Sequence, residues 1–175
     1  MGMWTRLTRV LKHRWQSERA AERAMPPALL AKLAAQVAGS EAGHSGEIRI
    51  YVEAGLPLRY LWRPVSTAQI TRERALAMFG KLRVWDTAQN NGVLIYLLLA
   101  ERRIEIVADR GLNERVAPGT WSQLVDEMRA AFKAGDFEGG LARAVQEVST
   151  LLQRHFAVSA GTHNPNELPN EPVLG

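Results

Sequence analysis

The chain has 175 residues, and 46% of them are hydrophobic, which suits one domain with a packed core and excludes global disorder. It contains no cysteine, so disulfides, zinc–thiolate sites and cysteine nucleophiles are excluded. The net charge of +4 resides in residues 1–23, which hold six basic and two acidic residues. The rest of the chain is formally neutral, so we expect no nucleic-acid binding.

The N-terminal segment, residues 1–25, is predicted to be a basic amphipathic helix. Its apolar side chains recur three or four positions apart, which places them on one helix face. They are Trp4, Leu7, Leu11 and Trp15. Tryptophan among cations is typical of a helix lying on an anionic membrane surface, so residues 1–24 are a candidate peripheral membrane contact. The alternative is that this face packs on the domain, on a protein partner or on a second copy of the chain.

The main domain is predicted to span residues 26–157 and begins with a helix over 28–39. The strand over 47–54 alternates, with Ile48, Ile50 and Val52 on a buried face and polar residues on an outward face. The elements predicted after it are a helix over 66–82, a fully covered aliphatic strand over 93–99, a strand over 103–108, and helices over 121–133 and 137–156.

This order predicts a three-layer α/β/α sandwich around a small mixed sheet. The strand–helix–strand unit should form a parallel crossover, and the short link before residue 103 should form an antiparallel hairpin. Residues 158–175 are rich in Asn and Pro, so we expect a polar, disordered tail. Charges interrupt the N-terminal apolar run and no apolar stretch reaches the ~20 residues of a membrane span. We therefore expect a cytoplasmic protein, peripheral to the inner membrane if residues 1–24 contact lipid.

Polar turns flank the two central strands and define a candidate site, which we call the rim. Asp86 and the Asn90-Asn91-Gly92 turn precede the second strand, and Asp109-Arg110 follows its antiparallel partner. These turns should lie at one end of the sheet, with Glu41 near them because the first strand runs parallel to the second. The candidate metal ligands are Asp86, Asn90, Asn91, Asp109 and Glu41. Residues of these types are also typical of ordinary tight turns, which is the alternative.

The rim residues allow two kinds of chemistry. With few carboxylates among them, they predict weak Ca²⁺ or Mg²⁺ binding, on the order of 10⁻⁴–10⁻³ M. A phosphomonoester hydrolase would instead use Asp86 or Asp109 as nucleophile or metal ligand and Arg110 to hold the phosphate.

Short motifs follow one another at characteristic spacing through the middle of the chain. They are Ser45-Gly46-Glu47-Ile48, Asn91-Gly92-Val93-Leu94-Ile95, Arg102-Arg103-Ile104-Glu105-Ile106, Asp109-Arg110-Gly111-Leu112, Gly135-Asp136-Phe137 and Gly139-Gly140-Leu141. Together they resemble the TPM domain family over residues 28–155. Trp85-Asp86-Thr87 and a terminal Asn-Glu-Leu-Pro at residues 166–169 resemble short bacterial members without signal peptide or membrane anchor.

The resemblance implies an α/β/α sandwich and two activities, acid phosphatase in some plant members and calcium binding at strand-end loops in some bacterial ones. The family's turn commonly reads Asp-Asn-Gly, whereas Asn90 stands at its first position here. We therefore expect a TPM module that acts through protein contacts or self-association near a membrane surface, with a weak divalent-metal site at the rim. The alternative is a metal-assisted, acid-phosphatase-like hydrolase using Asp86, Asp109 and Arg110.

Overall fold

A computed structural model describes residues 3–15, 18–159 and 164–175. The helices and strands lie close to their predicted positions, with additional short helices and one additional strand. In chain order they are α1 (Met3–Trp15), α2 (Glu18–Ala24), α3 (Pro27–Glu41), β1 (Ile48–Glu53), α4 (Leu58–Leu61), α5 (Thr67–Lys81), β2 (Val93–Leu98), a 3₁₀ turn (Leu99–Glu101), β3 (Arg103–Ala108), α6 (Arg110–Asn113), α7 (Thr120–Ala134), α8 (Phe137–Phe156) and β4 (Val173–Leu174).

The helix ends follow from local residue chemistry. α5 begins where the Ser66 hydroxyl accepts a hydrogen bond from Gln69 N at 3.2 Å. α7 ends at Gly135, whose φ of 85° suits a residue without a Cβ. Asp136 then starts α8 by accepting a hydrogen bond from Gly139 N at 2.8 Å.

The strands form one sheet in the order β3–β2–β1–β4. β1 and β2 are parallel, with Ile48 opposite Val93. β3 runs antiparallel to β2, with Val93 opposite Ala108. The predicted mixed sheet, with a parallel central pair and an antiparallel edge, is confirmed.

Helices cover both faces of the sheet, which confirms the predicted sandwich. One apolar core joins Ile50, Ile95 and Ile106 to α3, α7 and α8. The other joins Leu94 and Tyr96 to α4 and α5, with Val10 of α1. Successive strand residues alternate between these two cores because side chains of a strand point to opposite faces.

The outward face predicted for β1 is wrong, since all six of its residues are buried. β1 lies inside the sheet, between β2 and β4, and α1, α4 and α5 lie on its second face. Arg49 and Glu53 are therefore buried charges, and each needs a partner.

The disordered tail predicted for residues 158–175 is also wrong for residues 164–175. Val173 and Leu174 form β4, which pairs with Tyr51 and Val52 of β1. Ala54 N donates to Gly175 O at 3.0 Å, and Leu168 is buried. Without β4, β1 would have an unpaired edge. Backbone hydrogen bonds to that edge hold this short segment in place although most of its residues are polar.

Across the ranges that the structure describes, no helix is both long enough and apolar enough to cross a bilayer.

Candidate functional site

The structure brings two of the predicted rim turns together. Gly111 N donates to Asn90 O at 2.8 Å, and Asp109 N donates to Gly92 O at 2.9 Å. The Arg110 guanidinium donates to Asn90 Oδ1 at 3.0 Å. A Cβ on Gly111 would lie 2.5 Å from Asn90 O, so glycine allows this close approach of the two loops.

The two rim aspartates have different surroundings. Asp109 Oδ1 accepts a hydrogen bond from Arg110 N at 2.7 Å and caps α6, whereas its Oδ2 is buried without a hydrogen-bond partner. Asp86 is exposed, and its nearest described cation is Arg83, at 3.9 Å. Among the residues that the structure describes, no three His, Asp or Glu side chains are placed to share a metal ion.

Asn91 connects the rim to the chain that enters β1. It is fully buried, and its Nδ2 donates to Ser45 Oγ at 3.2 Å. Its backbone N donates to Thr87 Oγ1 at 3.1 Å, while its Oδ1 has no partner. Asn91 Oδ1 and Asp109 Oδ2 are thus two buried acceptor oxygens still able to bind a donor or a cation.

These residues fit a divalent cation only weakly. Calcium needs six to eight oxygen ligands, several of them charged. The rim has one buried carboxylate oxygen and one buried amide oxygen free, and the Arg110 guanidinium already occupies Asn90 Oδ1. A cation would have to displace that positive charge, which lowers the expected affinity.

Glu41 ends α3 and turns its carboxylate toward β1. Its Oε1 accepts a hydrogen bond from Ile48 N at 3.2 Å. Burial, together with repulsion from Glu47, raises the pKa of Glu41 to about 7. Glu41 therefore changes charge near neutral pH, beside the rim.

We expect Glu41 to make stability depend on pH. Between pH 4.5 and about 7 the folded chain keeps a proton that the unfolded chain has lost, so the free energy of unfolding falls as pH rises. The loss should reach no more than about 2 kcal/mol, since solvent at the sheet edge screens part of the effect. Urea denaturation of the wild type and Glu41→Gln across this range would measure it.

The difference between the two proteins isolates Glu41 from its neighbours. Burial raises the pKa of Glu47 and lowers that of His44, so these two groups act with opposite signs in both proteins. Equal slopes in wild type and Glu41→Gln would contradict the assignment. The glutamine keeps an oxygen that can accept from Ile48 N.

The C-terminal segment, residues 164–175, covers the sheet end beside the rim, an arrangement that the composition of this segment did not predict. Both Glu47 oxygens accept from this segment, from Glu167 N at 3.1 Å and Leu168 N at 3.2 Å. Asn164 Nδ2 donates to the carbonyl oxygens of Glu41 and His44, each at 3.0 Å. The signal in the sequence was the run of charged residues on one face of β1, which require such partners.

α1 packs on the domain through its charged face. The Arg9 guanidinium donates to the carbonyl oxygens of Leu61, Arg63 and Val65. His13 Nδ1 accepts from Leu56 N at 3.0 Å, and its Nε2 lies 2.9 Å from Glu101 Oε1. Both side chains are buried. The carbonyl groups around α4 thus bind the cationic face of α1, which turns that face toward the domain.

The predicted apolar stripe of α1 consequently points away from the domain. Trp4 is 79% exposed, Leu11 54% and Leu7 42%. These three residues form what we call the α1 apolar face. The side chain of Trp15, the fourth predicted member, lies outside the described residues.

Comparisons with known proteins agree with the motifs and the fold. The sequence model described as TPM domain matches residues 21–151. The structure resembles the NMR structure of the BA42 protein from the psychrophilic bacterium Bizionia argentinensis, with a TM-score of 0.69 and 25% sequence identity. That alignment covers 84% of this chain and 92% of BA42. A search of curated proteins finds no match.

The family match spans well over half of the chain and contains the rim turns and the strand motifs. The mixed sheet with helices on both faces agrees with the structural neighbour. This chain belongs to the TPM domain family.

Proposed function

We propose that this TPM-domain chain is a contact module that docks on an anionic membrane surface through the α1 apolar face. The orientation of α1 supports the proposal most directly. The helix buries Arg9 and His13 against the domain, and this leaves Trp4, Leu7 and Leu11 facing outward. Three large apolar side chains exposed together on one helix face are typical of a surface that contacts another molecule.

The charges near this face favour a lipid surface. Arg14 lies on the same helix and is exposed, whereas the exposed Lys12 pairs with Glu101 at 2.7 Å. Residues 1–23 carry a formal charge of +4, while the remaining chain is neutral. An interfacial helix combines these features, with tryptophan at the headgroup level and cations toward anionic lipid. Each basic residue close to such a surface adds about 1 kcal/mol to binding.

The proposal predicts vesicle binding that depends on the α1 apolar face. The triple variant Trp4→Ser, Leu7→Ser, Leu11→Ser should bind phosphatidylglycerol-containing vesicles at least about tenfold more weakly. It removes most of the apolar surface that α1 would bury in the lipid. Cosedimentation over a lipid titration measures the change. Trp85→Ser is the matched control, since Trp85 is an exposed tryptophan too, at 48%, but lies outside α1.

Two outcomes would count against a lipid surface. Equal binding of the triple variant and the wild type would remove the α1 apolar face from the contact. A wild-type chain that ignores vesicles but dimerises through α1, with the triple variant monomeric, would assign this face to a second copy. Weaker binding at high salt is expected, since the cations contribute through screened electrostatics.

A second candidate function is weak divalent-cation binding at the rim. It is supported by the buried acceptor oxygens Asp109 Oδ2 and Asn91 Oδ1, which have no hydrogen-bond partner. We expect millimolar calcium to shift the amide resonances of residues 86–92 and 109–111 and little else. Asp109→Asn should abolish the shifts while keeping the α6 cap, since asparagine caps helices well.

An unchanged spectrum in millimolar calcium would contradict the rim site. The same sample also tests the phosphatase alternative that the family resemblance implies. Phosphomonoester hydrolysis that disappears in Asp86→Asn would favour catalysis at the rim. Activity that is equal in wild type and Asp86→Asn would exclude Asp86 from it.

A further inference from the structure

The outer edge of β3 carries backbone groups that the sheet does not use. The opposite edge of the sheet is completed by β4, whereas β3 is the terminal strand. Asp109 N points inward, donating to Gly92 O, and the Ile106 carbonyl points outward, accepting from Arg72 at 2.7 Å. Hydrogen-bonding directions alternate along an antiparallel strand, so the N–H groups of Ile104, Ile106 and Ala108 also point outward.

A groove runs beside this edge, between β3 and α7. It has a volume of about 450 Å³ and is lined on the helix side by Trp121 and Val125. A smaller cavity of about 100 Å³, which ends at Phe132, shares Arg103, Val125 and Arg129 with it. The groove and the cavity therefore adjoin each other, and they place apolar side chains beside an unpaired strand edge.

The groove carries excess positive charge. The basic residues along it outnumber the acidic ones by five to three: Arg72, Arg102, Arg103, Arg129 and Lys133 against Glu101, Glu105 and Asp126. Each acid has a cation close by.

Each of the three acids forms an ion pair with a different basic residue. Lys12 lies 2.7 Å from Glu101, Arg129 lies 2.6 Å from Asp126, and Arg72 lies 3.7 Å from Glu105.

Arg103 lines both the groove and the smaller cavity and has an unused donor. Its Nε is buried and makes no hydrogen bond. A buried guanidinium donor without a partner is costly, and a carboxylate is the acceptor that satisfies it best. The site therefore combines a strand edge, an apolar wall and a guanidinium with one unused donor.

We propose that the β3 edge binds an extended acidic segment of a partner protein as a fifth strand of the sheet. The outward N–H groups of Ile104 and Ala108 pair with its backbone, and Arg103 pairs with one of its carboxylates. This surface is independent of the α1 apolar face. A second copy of the chain fits poorly, because it would bring the same excess of arginine to the groove.

A fluorescence-anisotropy titration of the full chain tests the charge requirement. The probe is a short labelled peptide of alternating glutamate and valine, and its control replaces glutamate by lysine. We expect saturable binding of the acidic peptide only. Arg103→Gln should weaken it about tenfold, while Arg143→Gln, an exposed arginine of α8, should leave it unchanged.

Amide hydrogen exchange tests the geometry. Binding of the acidic peptide should slow exchange at Ile104, Ile106 and Ala108 and should leave α1 unaffected. Ala108→Pro should abolish binding without unfolding β3, since the N–H that it removes faces away from β2.

Four results would overturn the proposal. They are no binding of the acidic peptide, equal binding of the lysine peptide, undiminished binding to Arg103→Gln, and binding without protection of the outward amides. Protection that grows with protein concentration in the absence of peptide would assign the edge to a second copy instead.

Discussion

Replacing Arg74 by methionine is expected to lower the free energy of unfolding by about 3–5 kcal/mol. Arg74 Nε and Nη2 donate to the Glu53 carboxylate at 2.6–3.1 Å, and the Tyr96 hydroxyl donates to the same carboxylate at 2.6 Å. Glu53 is 3% exposed and Arg74 7%. Without the guanidinium, an uncompensated charge would remain inside the sandwich, and this accounts for the large effect. Urea denaturation followed by tryptophan fluorescence measures it.

Two further variants separate charge from packing. In the double variant Glu53→Leu, Arg74→Met both charges are gone, so it should be more stable than Arg74→Met alone. Glu73→Gln is the control nearer the surface, because the side chains of Arg63 and Glu73 in that pair are 39% and 33% exposed. Its denaturation midpoint should match that of the wild type. If Arg74→Met were as stable as Glu73→Gln, the buried pair would not carry the stability assigned to it.

Deleting residues 164–175 is expected to cost on the order of 5 kcal/mol. The deletion removes the buried Leu168 side chain and exposes the edge of β1 that pairs with β4. It also takes both backbone hydrogen-bond donors away from the Glu47 carboxylate. Thermal and urea unfolding of the shortened chain measure the loss.

Point variants show whether packing or chain length is responsible. Leu168→Ala should lose about 2–5 kcal/mol, as buried leucines do. Asn166→Ala changes an exposed residue of the same segment and should stay within about 0.5 kcal/mol of the wild type. If the deletion variant were as stable as the wild type, the result would favour the disordered tail that composition alone predicts.

Periodicity predicted the elements of the domain well because they bury apolar side chains at regular intervals. The aliphatic run that forms β2 and the alternation that forms β3 gave both strands nearly to the residue. The Asn90–Gly92 and Asp109–Gly111 turns were expected to be neighbours, and their backbones are hydrogen-bonded to each other. Strand direction alone implies this, since antiparallel partners return to the same end.

Side-chain pattern was misleading where charged residues are buried. The alternation of β1 predicted an outward polar face, but Arg74 and the backbone of residues 167–168 satisfy Glu53 and Glu47 inside the structure. α1 shows the same effect, because Arg9 and His13 pack inward and Trp4 points outward. Charged groups can be buried when a distant segment supplies hydrogen bonds, and sequence spacing does not show that segment.

The order of helices and strands and the meeting of the two rim turns could be predicted from the sequence, because these depend on local periodicity and chain direction. The family could be predicted because its short motifs are present in the expected order. The long-range contacts of the fold established which face of α1 is free, that residues 164–175 complete the sheet, and that the β3 edge stays open beside the unused Nε donor of Arg103. Those properties depend on contacts between residues far apart in the chain. Local sequence patterns do not show which distant residues will be in contact once the chain has folded.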